Sequence, residues 1–468
     1  MKNSKRLLAM AVAAAIAAPM SASATNGMNM EGYGPIATGM GGASMAYDNG
    51  TAAMMNNPAT LGMMDDGTNR IDVAVGVLGP DVAAEAPAAM GGATATSGGD
   101  SYVMPAFGWA RRTGQLSYGA GVFAQGGMGT EYDKNSWMAM GTGDDVRSEL
   151  GVGRLMFPLA YNVNNKLTVG GSIDYVWGGL DMKMAMPVFA GGGPNPGSFG
   201  DFSTDFGGSQ VLGTAVMTGG LAAGLGGLIT DPNTAAVRID FSDSSDFTQK
   251  VDGTGYGGKL GLTYKASQQL TLGAAYHLKT SMSDWEGGAT LTVIDGTTGV
   301  NEFAGTMKVK DFQWPATIAA GLAFTPDERW LIAADVKVLQ WSDVMKDFTM
   351  EFRPSAMAGE SATITFFQDW DDQTVFNIGG AYMATDALVL RLGANISSNP
   401  IPDKFVHPLF PAIVENHYTA GFGYAFDQAS DLNFSLTYAP EVSVTNSNTG
   451  VGITHSQMNW QLMYSHSF

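Results

Sequence analysis

The sequence predicts an all-β fold: a transmembrane antiparallel β-barrel of about fourteen strands with an N-terminal hatch inside its lumen. Three observations carry this. Apolar residues recur at every second position in segments about ten residues long, the length a tilted strand needs to cross a bilayer. The connections between these segments alternate between short turns and long loops and never lose phase. After the N-terminus no run is long and apolar enough for a membrane helix, so any crossing falls to strands.

Composition narrows the class. Sixty-three Gly and only 14% charged residues suit a membrane barrel, while 9 Trp, 15 Tyr and 23 Phe are too many for a disordered chain. A formal net charge of −19 disfavours nucleic acid as a partner. With no Cys, disulfides and thiol chemistry are excluded.

At the N-terminus, Lys2, Lys5 and Arg6 precede the apolar run 7–18, and small residues follow up to Ala24. This pattern predicts a secretory signal over 1–24, cut between Ala24 and Thr25; the apolar run is too short to span a membrane. Residues 25–68 are rich in Gly, Met and Ala and show neither period, so they read as short turns and helical bits. So long a structureless stretch needs a container. The barrel, 69–468, supplies one, and 25–68 is the expected hatch.

The two-residue rhythm starts at Ile71, Val73, Val75, Val77 and returns through Leu155, Phe157, Leu159, Tyr161 to Trp460, Leu462, Tyr464. Opposite faces are small or polar, as in Thr168, Gly170, Ser172, Asp174. Short links such as 112–115 and 162–165 alternate with long ones, the longest over 178–252. Turns on the periplasmic side and loops outside are the habit of outer-membrane barrels. Tyr161, Tyr264, Phe324, Trp330, Trp341, Tyr382, Phe426 and Tyr438 fall beside turns or loops and read as aromatic girdles. Phe468 closes the last alternating strand, the feature outer-membrane assembly machinery recognises. A monomer in the outer membrane of a Gram-negative bacterium, among its lipids and lipopolysaccharide, is expected.

Several stretches resemble the long-chain fatty acid transporter family of the FadL/TodX type. They are Gly39-Met40-Gly41-Gly42-Ala43-Ser44-Met45-Ala46, then Asn57-Pro58-Ala59, then 311–343 (DFQWPATIAAGLAFTPDERWLIAADVKVLQWSD), and Pro402-Asp403 with Phe410-Pro411 near the C-terminus. The resemblance implies a hatched fourteen-stranded barrel that takes up hydrophobic compounds, long-chain fatty acids or hydrocarbons, by diffusion. Gly41, Gly42, Asn57, Pro58 and Ala59 would then be hatch residues. Ligand would land among outer loops, pass to an inner pocket and leave sideways through a gap in the wall, helped by a hatch movement.

The residues suggest where such a ligand could sit. Met adapts to varied apolar guests, and Met28, Met30, Met54 and Met55 lie in the hatch stretch. Met217, Leu221, Leu225 and Leu228 recur at helical spacing in the longest loop, a candidate landing groove. Gly126, Gly127 and Gly129 follow the third strand and are candidates for a bulge or break that opens the wall. Arg154, Lys279 and Arg391, with Asp174, Lys259, His277, Asp335 and Lys337, fall on the inferred lumen face, where a cation could meet a carboxylate ligand. The family's carboxylate-binding basic residues have no clean counterpart: Trp177-Gly178-Gly179 follows strand five, which leaves neutral hydrocarbons open.

No metal-ligand spacing, cofactor motif or catalytic triad is present; the acidic pairs Asp65-Asp66, Asp144-Asp145 and Asp371-Asp372 lack calcium-loop spacing. The sequence therefore reads as a transporter and not an enzyme. A general porin would have an open polar lumen without a hatch, an outer-membrane lipid hydrolase would need a Ser-His pair near the rim, and an adhesin would act through its loops alone.

Overall fold

A computed structural model of the chain describes residues 26–187, 210–212, 215–221, 234–245, 248–296, 298–357 and 359–468. The expected signal, 1–24, lies outside the described residues. Asn69–Leu78 pairs with Tyr102–Thr113 on one side and with Gly452–Ser467 on the other, so the first and last wall strands meet and the sheet closes. The wall then runs antiparallel through Leu116–Tyr132, Val146–Asn162, Leu167–Pro187, Val251–Lys265, Leu270–His277, Thr317–Phe324, Trp330–Leu339, Gln373–Thr385, Leu388–Ser397, His417–Ala425 and Ser430–Thr445.

Followed through its outer end, the closed circuit takes in 16 strands, not the expected fourteen. The two additional strands, Thr234–Phe241 and Trp285–Asp295, fall in stretches the sequence reads as loop. At the outer end Thr234–Phe241 pairs with Leu167–Pro187 and with Trp285–Asp295, and the latter reaches Val251–Lys265 at Asp252↔Glu286. Nearer the turns, Leu167–Pro187 and Val251–Lys265 pair directly, from Tyr264↔Leu167 to Val251↔Leu180. The loop expected to begin at Gly178 therefore begins as strand, up to Pro187.

Burial along the wall is inverted relative to a soluble sheet. Ile173 (71% exposed), Leu392 (69%) and Leu260 (60%) point outward, while Asn377, Asn395, Asn433, Thr437 and Gln461 are buried. Apolar side chains exposed all round, with amides and hydroxyls inside, suit a cylinder solvated by lipid. Tyr161, Tyr264, Phe324, Trp330 and Phe426 lie exposed at strand ends as expected, Tyr438 is exposed in the middle of Ser430–Thr445, and Tyr382 packs tilted against Trp330 at 4.7 Å. Trp341 departs from the girdle reading: it is fully buried.

Residues 26–64 are packed against the inner face of strands on all sides. Asp335 accepts from the backbone N–H groups of Ser44 (2.6 Å) and Met45 (3.2 Å), and Asp72 from the N–H and hydroxyl of Thr51, both 2.8 Å. Lys337 Nζ donates to Gly42 O (2.9 Å), Gly41 N to Thr419 Oγ1 (3.0 Å), and Arg112 to the carbonyls of Gly62 and Met64. Such bonds let irregular backbone lie buried, since each orphaned group would otherwise lose its water partner uncompensated. Gly41 sits at φ 68°, and a Cβ there would stand 2.4 Å from Ala394 O, so only glycine permits this approach. Asn57 caps the short helix Pro58–Met63 by accepting from Ala59 N at 3.1 Å, and its amide donates to Met45 O (2.7 Å) and Leu262 O (3.2 Å). Pro58 suits the first helical position, where its missing N–H is not needed.

Candidate ligand chamber and wall gap

Two apolar cavities lie on either side of the leading end of this inner segment. The outer one is a narrow, closely packed cleft lined by Met28, Met128, Leu150, Phe312, Met345, Phe348, Gln368 and Phe410. Different elements supply them: Met128 and Leu150 come from Leu116–Tyr132 and Val146–Asn162, the others from the inner segment and the outer connections. A chain of rings backs this wall. Trp285 lies 4.5 Å from Phe312, Phe312 6.2 Å from Phe348, and Phe348 6.0 Å from Phe410. Trp341 packs edge-on against Trp314 (5.7 Å) and Trp370 (5.2 Å). Rings and thioethers give an apolar guest dispersion contact without fixing its shape.

The inner cavity is lined by Met30, Tyr33, Met104, Ala106, Phe107, Phe123, Ala124 and their neighbours. It lies where the wall loses its pairing. Tyr102–Thr113 and Leu116–Tyr132 are bonded from Thr113↔Leu116 to Phe107↔Val122, and no further. Leu116–Tyr132 then bulges between Ala124 and Gly126 while keeping its pairing to Val146–Asn162. Gly126, Gly127 and Gly129 are thus inside a strand and not at a loop start. Gly126 has φ 152°, and a Cβ there would stand 2.1 Å from Met28 O. In place of the missing strand neighbour, Gly126 bridges to Asn29, and Gly127 N donates to Met28 O at 3.1 Å.

Asn29 stands between the cavities. Its side-chain oxygen accepts from Gln125 Nε2 (2.7 Å), Tyr33 OH (2.8 Å) and Trp314 Nε1 (3.3 Å). Tyr33 OH also lies 2.6 Å from Gln125 O, so its one proton is shared between that carbonyl and Asn29. One polar cluster therefore ties the outer ring chain, the bulged strand and the inner cavity together.

The remaining predicted residues distribute unevenly. Met28 lines the outer cavity and Met30 the inner. Met54 and Met55 line neither; they are fully buried in the packing of the inner segment against the wall. Met217 lies on Ala215–Thr218, a short strand paired with Ala362–Phe367, so the helical spacing does not form a helix there. Leu221 packs half-buried on the edge of the outer core, with its N–H on Ser361 O (3.1 Å). Leu225 lies outside the described residues.

None of the three predicted cations faces the outer cavity. Arg154 pairs with Asp174 at 2.9 Å, and Lys259 holds the same carboxylate at 2.6 Å, all three buried. Lys279 is exposed just past the end of Leu270–His277. Arg391 donates to Asn433 (2.9 Å) and lines a separate vestibule near the turns. The acidic pair Asp144-Asp145 is committed to Arg238 (2.6 Å) and Lys183 (3.0 Å). Among the described residues no cluster of three metal-ligating side chains occurs.

The sequence pattern of the family described as outer membrane protein transport protein (OMPP1/FadL/TodX) matches residues 11–466. The chain belongs to that family. Two solved relatives agree over the same span. The toluene transporter TodX of Pseudomonas putida is 32% identical with a TM-score of 0.78, covering 94% of this chain and 99% of that one. The toluene transporter TbuX of Ralstonia pickettii is 30% identical with a TM-score of 0.73, covering 94% and 99%. A FadL homologue of Pseudomonas aeruginosa, at 16% identity and TM-score 0.68 over 94% and 99%, shares the fold. An uncharacterized protein of Chlorobium limicola, encoded 5′ of phosphoenolpyruvate carboxykinase, is 56% identical over 59 residues; the match spans 13% of this chain and 29% of that protein.

In this FadL/TodX-family barrel the residues that sequence reasoning missed are Phe312, Trp314, Met345, Phe348, Gln368 and Phe410, with Asn29, Tyr33 and Gln125. Most of the first group sit in connections, where no period marks them. One signal was available. In Leu167–Pro187 the apolar positions are odd and exposed at Val169, Ile173 and Tyr175, then even and buried at Leu180, Met182 and Met184. This change of phase records the lumen turning apolar toward the outer end. The roof over the chamber holds His407, whose ring lies 5.9 Å from Phe410 and 6.1 Å from Phe366; burial pushes its pKa down to about 3.

Proposed function

We propose that the protein is a diffusive importer of neutral hydrophobic small molecules across the outer membrane of a Gram-negative bacterium. Ligand enters the ring-lined outer chamber, passes the Asn29 cluster into the inner cavity, and leaves sideways into the membrane between Tyr102–Thr113 and Leu116–Tyr132. Residues 26–64 act as a hatch that closes the axial route. The observation that carries this reading is the juxtaposition of two apolar cavities with the place where wall pairing stops.

The driving force is ordinary. An apolar molecule gains about 0.8 kcal/mol per buried methylene on leaving water, so each cavity is a resting point on a downhill path to lipid. The cations near the lumen are paired or lie elsewhere, which favours a hydrocarbon-like ligand over a fatty carboxylate. TodX and TbuX, the toluene transporters among the relatives, support the same size class. The barrel acts as a monomer among outer-membrane lipids and lipopolysaccharide, and Phe468 serves its assembly.

Ala106 is the residue with which to test the exit, because it lines the inner cavity at the gap. Ala106→Trp should fill that space and slow uptake of radiolabelled toluene into proteoliposomes about tenfold or more, with heat-modifiable migration of the barrel unchanged. Uptake at the wild-type rate would remove the lateral route.

A further inference from the structure

We propose that the short-turn end of the barrel carries an anion site, built by Arg112, Lys166 and Lys265, that takes a phosphate group. In an outer-membrane barrel this end faces the periplasm. A cleft of about 320 Å³ opens there, far more than a single water needs. Its back is the end of the inner segment at Gly62 and Met63, and its sides are the inner rim of Tyr102–Thr113, Val146–Asn162, Leu167–Pro187 and Val251–Lys265. Three cations line it and no carboxylate does. In a chain of 43 acidic and 24 basic side chains, such a lining runs against the overall balance.

The two lysines are the sharper observation. Thr263↔Thr168 and Tyr264↔Leu167 are paired, and Lys265 N donates to Lys166 O at 2.8 Å, so the lysines stand opposite one another one step further on. Strand alternation puts both on the inner face, the side of buried Thr168 and Thr263, with exposed Tyr264 on the other. Like charges directly opposite on one face destabilise a strand pair. Neither lysine, nor Arg112, enters an ion pair among the described residues. Arg112 Nε donates to Gly114 O at 3.1 Å and Nη1 to the carbonyls of Gly62 and Met64, which leaves the two hydrogens of Nη2. The nearby amides are spent. Asn162 Oδ1 accepts from Thr168 Oγ1 at 2.6 Å, and Asn164 Oδ1 from the N–H groups of Lys166 and Leu167. What the cleft lacks is negative charge. A phosphate brings it on several oxygens in a tetrahedron, enough to meet one guanidinium and two ammonium groups from different strands and to relieve the repulsion between the lysines. A carboxylate has two oxygens in one plane and reaches fewer of them. The phosphate arrives free in the periplasm or as the headgroup of an anionic lipid leaning over the rim, where Tyr161 and Tyr264 face outward.

The test uses the full-length protein in nanodiscs. In discs of phosphatidylcholine alone, radiolabelled inorganic phosphate is measured by equilibrium dialysis at low salt, with counts from protein-free discs subtracted. In discs containing phosphatidylglycerol, lipid retained after transfer to detergent is counted by native mass spectrometry. The double variant Lys166→Gln, Lys265→Gln should weaken binding about tenfold or more, the value of lost charge-assisted hydrogen bonds. Heat-modifiable migration confirms that it is folded. With phosphate absent it should melt no lower than the wild type, because it removes a repulsion and no partner. One retained phosphatidylglycerol per barrel, lost in the double variant, upholds the inference and assigns the site to a lipid headgroup. Saturable inorganic phosphate without retained lipid upholds it and assigns the site to a free phosphate. Neither ligand bound, or binding unchanged by the double variant, overturns it. A lower melting temperature of the phosphate-free double variant overturns it as well, since the lysines would then hold the wall through partners of their own.

Discussion

Asn29 concentrates the chemistry of the passage in one side chain. Its oxygen takes three donors, from Gln125, Tyr33 and Trp314, and its backbone bridges to Gly126. Replacing it with Ala leaves those donors to find other partners in a largely apolar place, at a cost of roughly 1–3 kcal/mol. Asn29→Ala should therefore loosen the leading end of the hatch without touching the wall. Amide hydrogen exchange over 26–33 should accelerate tenfold or more, and uptake should quicken because the partition between the cavities opens more often. Unchanged exchange together with unchanged uptake would show that the cluster holds nothing shut. No sequence rule would have singled out Asn29, since a lone Asn in a Gly-rich stretch reads as a turn residue. Asn57 was legible because it precedes a Pro at the start of a short helix, a position with a known bonding role.

The outer connection between Leu388–Ser397 and His417–Ala425 roofs the chamber, and it carries its own pH dependence. Burial among Phe366 and Phe410 lowers the pKa of His407 to about 3, against about 6.5 in an unfolded chain. Between these values the opened loop binds more protons than the closed one. Stability is thus complete above about pH 6.5 and is lost as the pH falls toward 3. Protection of residues 401–414, corrected for the intrinsic pH dependence of amide exchange, should be lower at pH 4 than at pH 7, and His407→Phe should reduce that difference. Equal exchange in wild type and variant at both pH values would mean the ring is not held as described. The same scale shows what the sequence could tell. Wall strands such as Gln373–Thr385 were legible because lipid on one side and a polar interior on the other force strict alternation. Thr234–Phe241 and Trp285–Asp295 were not, because Val237, Ile239, Leu291 and Val293 turn inward to the outer core and the exposed-apolar signature disappears. Trp341 was misplaced for a related reason: an aromatic beside a strand end can face the membrane interface or roll under the loops, and local sequence does not distinguish them.

For the whole molecule, the relation between the wall and residues 26–64 is asymmetric. Closure of the cylinder rests on Asn69–Leu78 pairing with both neighbours, and residues 26–64 supply none of those bonds. Residues 26–64, by contrast, depend on the wall for partners, through Asp72, Asp335, Lys337, Thr419 and Arg112. Deleting 26–64 should therefore leave a folded, heat-modifiable barrel with an unlined bore. That bore is lined by Asn377, Asn395, Asn433, Thr437 and Gln461, polar groups on the buried face of the wall, and it would fill with water. Planar-bilayer recordings should show steady single-channel currents where the intact protein shows nearly none. Uptake of an apolar probe should fall at the same time, because a hydrated bore offers a hydrocarbon no gain over bulk solvent and the inner cavity loses Met30 and Tyr33 from its lining. Conductance equal to that of the intact protein would mean that something other than the inner segment closes the bore, and the division of labour between hatch and side exit would fall with it.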